Sequence, residues 1–226
     1  MGVAAALLFA GTAFAATPAP TPAPAPASSA ISASADPSTD SVAVVGVTGF
    51  RSAHFGMTEA EVKAAIGKDF GVKADAIQAG TNAAERTQLL SVPVPDLLPG
   101  GGTAVVSYVF GYKTKALIQV GVSWSAATDP SITDAELYAD GEVLRSHFAT
   151  AGYKPDTVKT GLVLPNGLLL FRGEDADGHA TILILQGTFK DTGNGGQKTL
   201  KPVSLALLYA ADPQSPDVFK VAPGQF

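Results

Sequence analysis

Two short segments about 75 residues apart carry the same helix-start signature, and they constrain the fold more than any other feature. They read Met57-Thr58-Glu59-Ala60-Glu61-Val62 and Ile132-Thr133-Asp134-Ala135-Glu136-Leu137. In each, the threonine can accept the N3 amide and the glutamate three residues on can reach back to the cap's own N–H. Flanking apolar residues supply a hydrophobic staple. Carboxylates in the first turn also meet the positive end of the helix dipole. The first helix is predicted to be short, with Val62 and Ile66 on one face and Gly67 as its stop. The second carries Leu137, Leu144 and Phe148 at helical spacing before Gly152.

After each helix start the period changes to that of strands. Thr103 to Phe110 and Ala116 to Trp124 are rich in β-branched and aromatic residues around the turn Gly111 to Lys115, which predicts a hairpin. Further on, Leu168 to Arg172 and Thr181 to Phe189 flank Glu174-Asp175-Ala176-Asp177-Gly178-His179, a second hairpin. Val203 to Tyr209, after the Gly-rich loop Asp191 to Gln197, reads as an additional edge or closing strand. Leu89 to Val94 and Gly161 to Leu164 precede the two hairpins in corresponding places, with Pro93 and Pro95 making the former irregular or edge-like. The expected fold is therefore α+β: two helix-plus-antiparallel-strand repeats, about 42–126 and 127–212, forming a helical layer on an antiparallel sheet with a short carboxy-terminal tail.

The residues Phe55-Gly56-Met57-Thr58, followed by Glu61-Val62 and Ile66-Gly67, resemble the opening of the SmpA/OmlA envelope small proteins and of the tandem β-lactamase inhibitory protein fold. The likeness spans ten to fifteen residues per half. It implies helices layered on an antiparallel sheet and function through protein binding. The chain departs from both by having no cysteine. It is also similar to uncharacterised exported proteins of proteobacteria.

Ahead of this domain, residues 1–15 are nearly all small and apolar and end in Ala13-Phe14-Ala15, an A-x-A cleavage pattern, so they read as a secretory signal peptide, although no Lys or Arg precedes the apolar run. Residues 16–41 run through Pro-Ala repeats and a Ser/Ala/Asp stretch that cannot bury enough apolar surface to offset ordering entropy, so they read as a disordered spacer. The expected location is the periplasm or the exterior. No segment offers about 20 uninterrupted apolar residues, so no transmembrane helix is expected. The formal net charge of −5, with charged residues at only 15%, gives nucleic acid no docking patch.

Catalytic signatures are sparse. His54, His147 and His179 stand apart, and neither H-E-x-x-H, G-x-S-x-G nor a P-loop occurs. Asp175-Ala176-Asp177-Gly178 resembles the start of a calcium loop, but the twelfth position is Gln186 and not glutamate, so a hairpin turn explains it with less. Gly100-Gly101-Gly102 precedes a strand and lacks the helix dipole of an anion cradle, which leaves it a connector. No cofactor or metal is expected. Tyr112, Lys113 and Lys115 at the tip of the first predicted hairpin form a candidate recognition knob, tyrosine with a cationic rim being common at interfaces. The leading expectation is a non-catalytic envelope protein that binds another protein. The alternative is a periplasmic hydrolase or small-molecule-binding protein.

Overall fold

A computed structural model describes residues 45–191, 198–221 and Gly224. The expected signal peptide and spacer, and the loop at 192–197, lie outside the described residues. The described part opens with a tight two-stranded ribbon, β1 (Gly49–Phe50) and β2 (Ala53–His54). Helix α1 (Glu59–Phe70) follows, then a 3-10 turn and strands β3 (Gln78–Asn82), β4 (Thr87–Val94), β5 (Ala104–Phe110) and β6 (Leu117–Ser125). Helix α2 (Asp134–Ala149) is next, then another 3-10 turn and strands β7 (Leu162–Leu164), β8 (Gly167–Glu174), β9 (Ala180–Asp191) and β10 (Lys198–Ala210). Strands β3 to β10 form one antiparallel sheet in the order β3-β4-β5-β6-β10-β9-β8-β7.

Both helices begin at the expected threonines. Thr58 accepts the Glu61 amide and Glu61 Oε2 accepts the Thr58 amide at 2.7 Å, and Thr133 and Glu136 repeat the arrangement with the same 2.7 Å contact. The predicted stop at Gly67 is wrong. Gly67 stays inside α1, and its carbonyl accepts the N–H of Gly71, which has the left-handed backbone (φ +66°) that ends the helix. The extra turn places Phe70 beneath the Arg51 guanidinium, 4.8 Å from the ring centroid.

Strand alternation builds the core. Leu90, Val92, Val106, Tyr108, Val122 and Trp124 on one side of the seam, and Leu183, Leu185, Leu205 and Leu207 on the other, share one sheet face and are almost fully buried. Val62 and Ile66 of α1 and Leu137, Leu144 and Phe148 of α2 join the same cluster, so both helices cover that face. Gly141 lets α2 approach the sheet closely, since a Cβ there would lie 2.7 Å from Leu170 Cδ1.

Two edge assignments need correction. β4 is internal, because the wholly exposed strand β3, whose polar sequence Gln-Ala-Gly-Thr-Asn carries no apolar alternation, pairs outside it. Pro93 is tolerated because the β3 pairing ends at Gln78–Ser91 and asks no N–H of it. β10 is no edge strand either. It lies at the centre, pairing with β6 on one side and β9 on the other, with a bulge between Pro202 and Ser204.

Candidate functional site

Among the described residues, no helix covers the centre of the sheet face opposite α1 and α2. Register aligns Val105, Ser123, Ala206 and Ile184 in one row and Ser107, Gly121, Leu208 and Ile182 in the next, all partly exposed. These side chains are small or apolar and none is charged. Past the end of β10 the chain turns back across this face. Ala211 donates to the Ile118 carbonyl, and a cleft of about 290 Å³ lies between residues 211–217 and the sheet residues Ile118, Gln119, Ile182 and Leu208.

The same returning segment reaches the β5–β6 hairpin tip. Asp217 is seated in a nest of donors there: the amides of Lys113 (3.1 Å) and Thr114 (2.8 Å) and the Thr114 hydroxyl (2.8 Å) point to its carboxylate, while the Tyr112 amide donates to its carbonyl. These bonds, the Thr114 amide first, hold its carboxyl below the usual aspartate range. Two residues on, Phe219 meets Tyr112 edge to face at 5.5 Å, lies 3.8 Å beneath the Arg86 guanidinium and donates its amide to the Glu85 carbonyl of the β3–β4 turn. Of the three expected knob residues, Tyr112 is thus half covered by the chain's own tail. Lys113 and Lys115 are exposed, and Lys115 Nζ lies 5.5 Å from the Tyr112 ring centroid. Asp217, Phe219 and Arg86 were missed in the sequence, because a contact between residues a hundred positions apart leaves no local pattern.

The Asp175 turn is built differently. Asp175 is 2% exposed. Its Oδ1 accepts the amides of Asp177 (3.0 Å) and His179 (2.9 Å), and its Oδ2 accepts the amide of Val47 at 2.8 Å. The carboxylate therefore closes the β8–β9 turn and ties down the strand entry 128 residues away. Ligand atoms of Asp175, Asp177 and His179 lie within 4.8 Å of one another, but the Asp175 oxygens are already engaged by backbone donors. His179 Nδ1 stands 3.4 Å from Oδ2, too poorly aligned to bond, with the ring edge-on to Phe55.

The other histidines lie elsewhere: His54 Nδ1 contacts Thr48 Oγ1 at 3.2 Å, and the His147 ring packs on Phe148. The triple glycine meets carboxylates and not an anion site. A Cβ on Gly101 would fall 2.7 Å from Asp140 Oδ2, and one on Gly102 would fall 2.7 Å from Asp129 Oδ2. Asp129 fastens this connector by accepting the Thr103 amide at 2.9 Å. Burial, then the neighbouring Glu136, raises the Asp140 carboxyl above its ordinary value.

Among the described residues, no helix is long and apolar enough to cross a membrane. Comparison of the chain with protein-family models, with curated proteins and with solved structures gave no match. The class that the structure defines is an α+β protein with two helices on one face of a large antiparallel sheet.

Proposed function

We propose that this chain is an exported, non-catalytic envelope protein that binds another protein through the open face of its sheet. The observation that carries the reading is the uncharged surface centred on Val105, Ser123, Ala206 and Ile184, which the helices leave uncovered. A broad uncharged surface of small and apolar side chains suits a protein surface better than a small substrate. Export rests on the leader-like residues 1–15 and the Pro/Ala spacer that follows them. The resemblance to SmpA/OmlA and β-lactamase inhibitory proteins points to the same mode of action. The chain is read as two repeats on the matched order helix, 3-10 turn and four strands on either side of the β6–β10 seam.

The test is crosslinking and affinity capture from intact envelopes with the tagged chain, alongside Ala206→Asp and Ile184→Asp. Both side chains are partly exposed, so the variants are expected to fold. A single envelope protein enriched by the parent chain and lost from both variants supports the reading. Capture of the same protein by all three chains refutes the sheet face, and recovery of the chain in the cytoplasmic fraction alone refutes export.

A further inference from the structure

The carboxy-terminal strap is held by ligand-like contacts and not by core packing. Asp217 is only partly buried, and its carboxylate collects three donors from a hairpin tip whose backbone is already shaped for an anion, with Lys115 in the left-handed region (φ +56°). Phe219 sits half-exposed between an aromatic edge and a guanidinium plane supplied by two different hairpins. The residue between them, Val218, donates its amide N–H within the strap, to the Pro216 carbonyl. An open cleft of about 430 Å³ remains between residues 215–220 and the tip, lined on the protein side by Tyr112 and Lys113. The strap thus displays the chemistry that its seat recognises: a carboxylate, a spacer residue and an aromatic ring.

We propose that the seat formed by Tyr112, Lys113, Thr114 and Arg86 is a peptide-binding site for acidic-aromatic segments of the form Asp-x-Phe in a partner protein, and that the chain's own Asp217 to Phe219 occupies it in cis. The seat uses hairpin tips and not the sheet face, so it stands independently of the reading above. Exposed Lys113 and Lys115 give the approaching segment an attractive field, and the tethered strap competes through its high effective concentration, so a partner binds only by displacing it. Each carboxylate contact here is a hydrogen bond to a charged acceptor, roughly twice as strong as a neutral one.

The experiment uses the full chain and a synthetic peptide with the sequence of Ser215 to Lys220 as the probe. The chain has no cysteine, so Lys220→Cys allows a single environment-sensitive dye to be placed on the strap. Free peptide is expected to shift the dye emission saturably as it displaces the strap. A peptide carrying Asp217→Asn is expected to need a concentration on the order of ten times higher or more. In the second arm, the full chain with Asp217→Asn and Phe219→Ala, its strap released, is expected to bind labelled peptide about tenfold more tightly than the parent chain. If that variant fails to fold by circular dichroism, the dye displacement decides alone. No saturable shift, or equal potency of the two peptides, overturns the proposal. Dimerisation by exchange of straps, seen in light scattering of the unlabelled chain, overturns the partner assignment in favour of a second copy. Ala206→Asp leaves peptide binding unchanged, which keeps this result separable from failure of the sheet-face reading.

Discussion

Replacing Asp175 separates a local turn from a long-range clamp in one side chain. In Asp175→Asn the amide carbonyl can keep the Asp177 and His179 amides, but the new NH2 faces the buried Val47 N–H, donor to donor. A hydrogen bond to a charged group contributes about 1.5–3 kcal/mol, so the loss is on the order of 2 kcal/mol. Asp175→Ala strips all three acceptor contacts. The two turn amides are only partly buried and recover water, whereas Val47 N–H does not, which brings the loss to roughly 3–5 kcal/mol. For a domain of this size each kcal/mol moves Tm by about 2–4 °C, so Asn lowers it by about 4–8 °C and Ala by roughly 6–20 °C. Trp124 is the only tryptophan and is 1% exposed, so its fluorescence during urea and thermal unfolding follows the core directly. Hydrogen exchange at Val47 should rise in both variants, and at His179 in the alanine variant alone. If both variants unfold within 0.5 kcal/mol of the parent, roughly the range of an ordinary surface substitution, the clamp does not exist.

Other outcomes follow from the same packing. Tyr108 is fully buried and its hydroxyl has no partner among the described residues, and burial raises its pKa, so Tyr108→Phe should stabilise the fold by up to about 1 kcal/mol in urea titration; a loss would reveal a partner for the hydroxyl. A Cβ at Gly173 would fall 2.7 Å from Tyr153 Cγ, a ring pinned by its bond to Thr181 Oγ1, so Gly173→Ala should cost about 1–3 kcal/mol by overpacking, read as a lower Tm. Glu61 and Glu136 are held below the ordinary glutamate value by the capping amides, then by the threonine hydroxyls. The folded state therefore binds protons less readily there, and this stability is present at neutral pH and lost as pH falls through the lowered folded values. Thr58→Ala with Thr133→Ala should flatten the acid limb of a Tm-against-pH curve, and an unchanged limb would place the acid sensitivity elsewhere. Asp140 has the opposite sign: its raised pKa makes its charge a burden as pH rises, so Asp140→Asn should raise Tm at pH 7 and leave it nearly unchanged at pH 3.

The capping boxes fixed both helix starts because every atom involved lies within four residues, and period-two alternation placed β5, β6, β8 and β9 because burial on a sheet face imposes it directly. β3 escaped because a strand exposed on all five residues leaves no apolar alternation to find. The Asp175 turn was legible as a turn from its Asp and Gly, but nothing in that segment shows that its second oxygen holds Val47.

By itself, then, the sequence determined the helix starts, the hairpins, the α+β class and the turn chemistry, all of which depend on neighbours along the chain. Tertiary structure alone decided that β10 lies at the centre of the sheet, that β4 is internal and that α1 runs on to Gly71. It alone brought Asp217 and Phe219 onto the hairpin that carries Tyr112 and Lys113. Pairing between distant strands, and the capture of one loop by another, depends on which surfaces remain unburied once the local elements exist. That is a property of the whole packed chain and of no single segment.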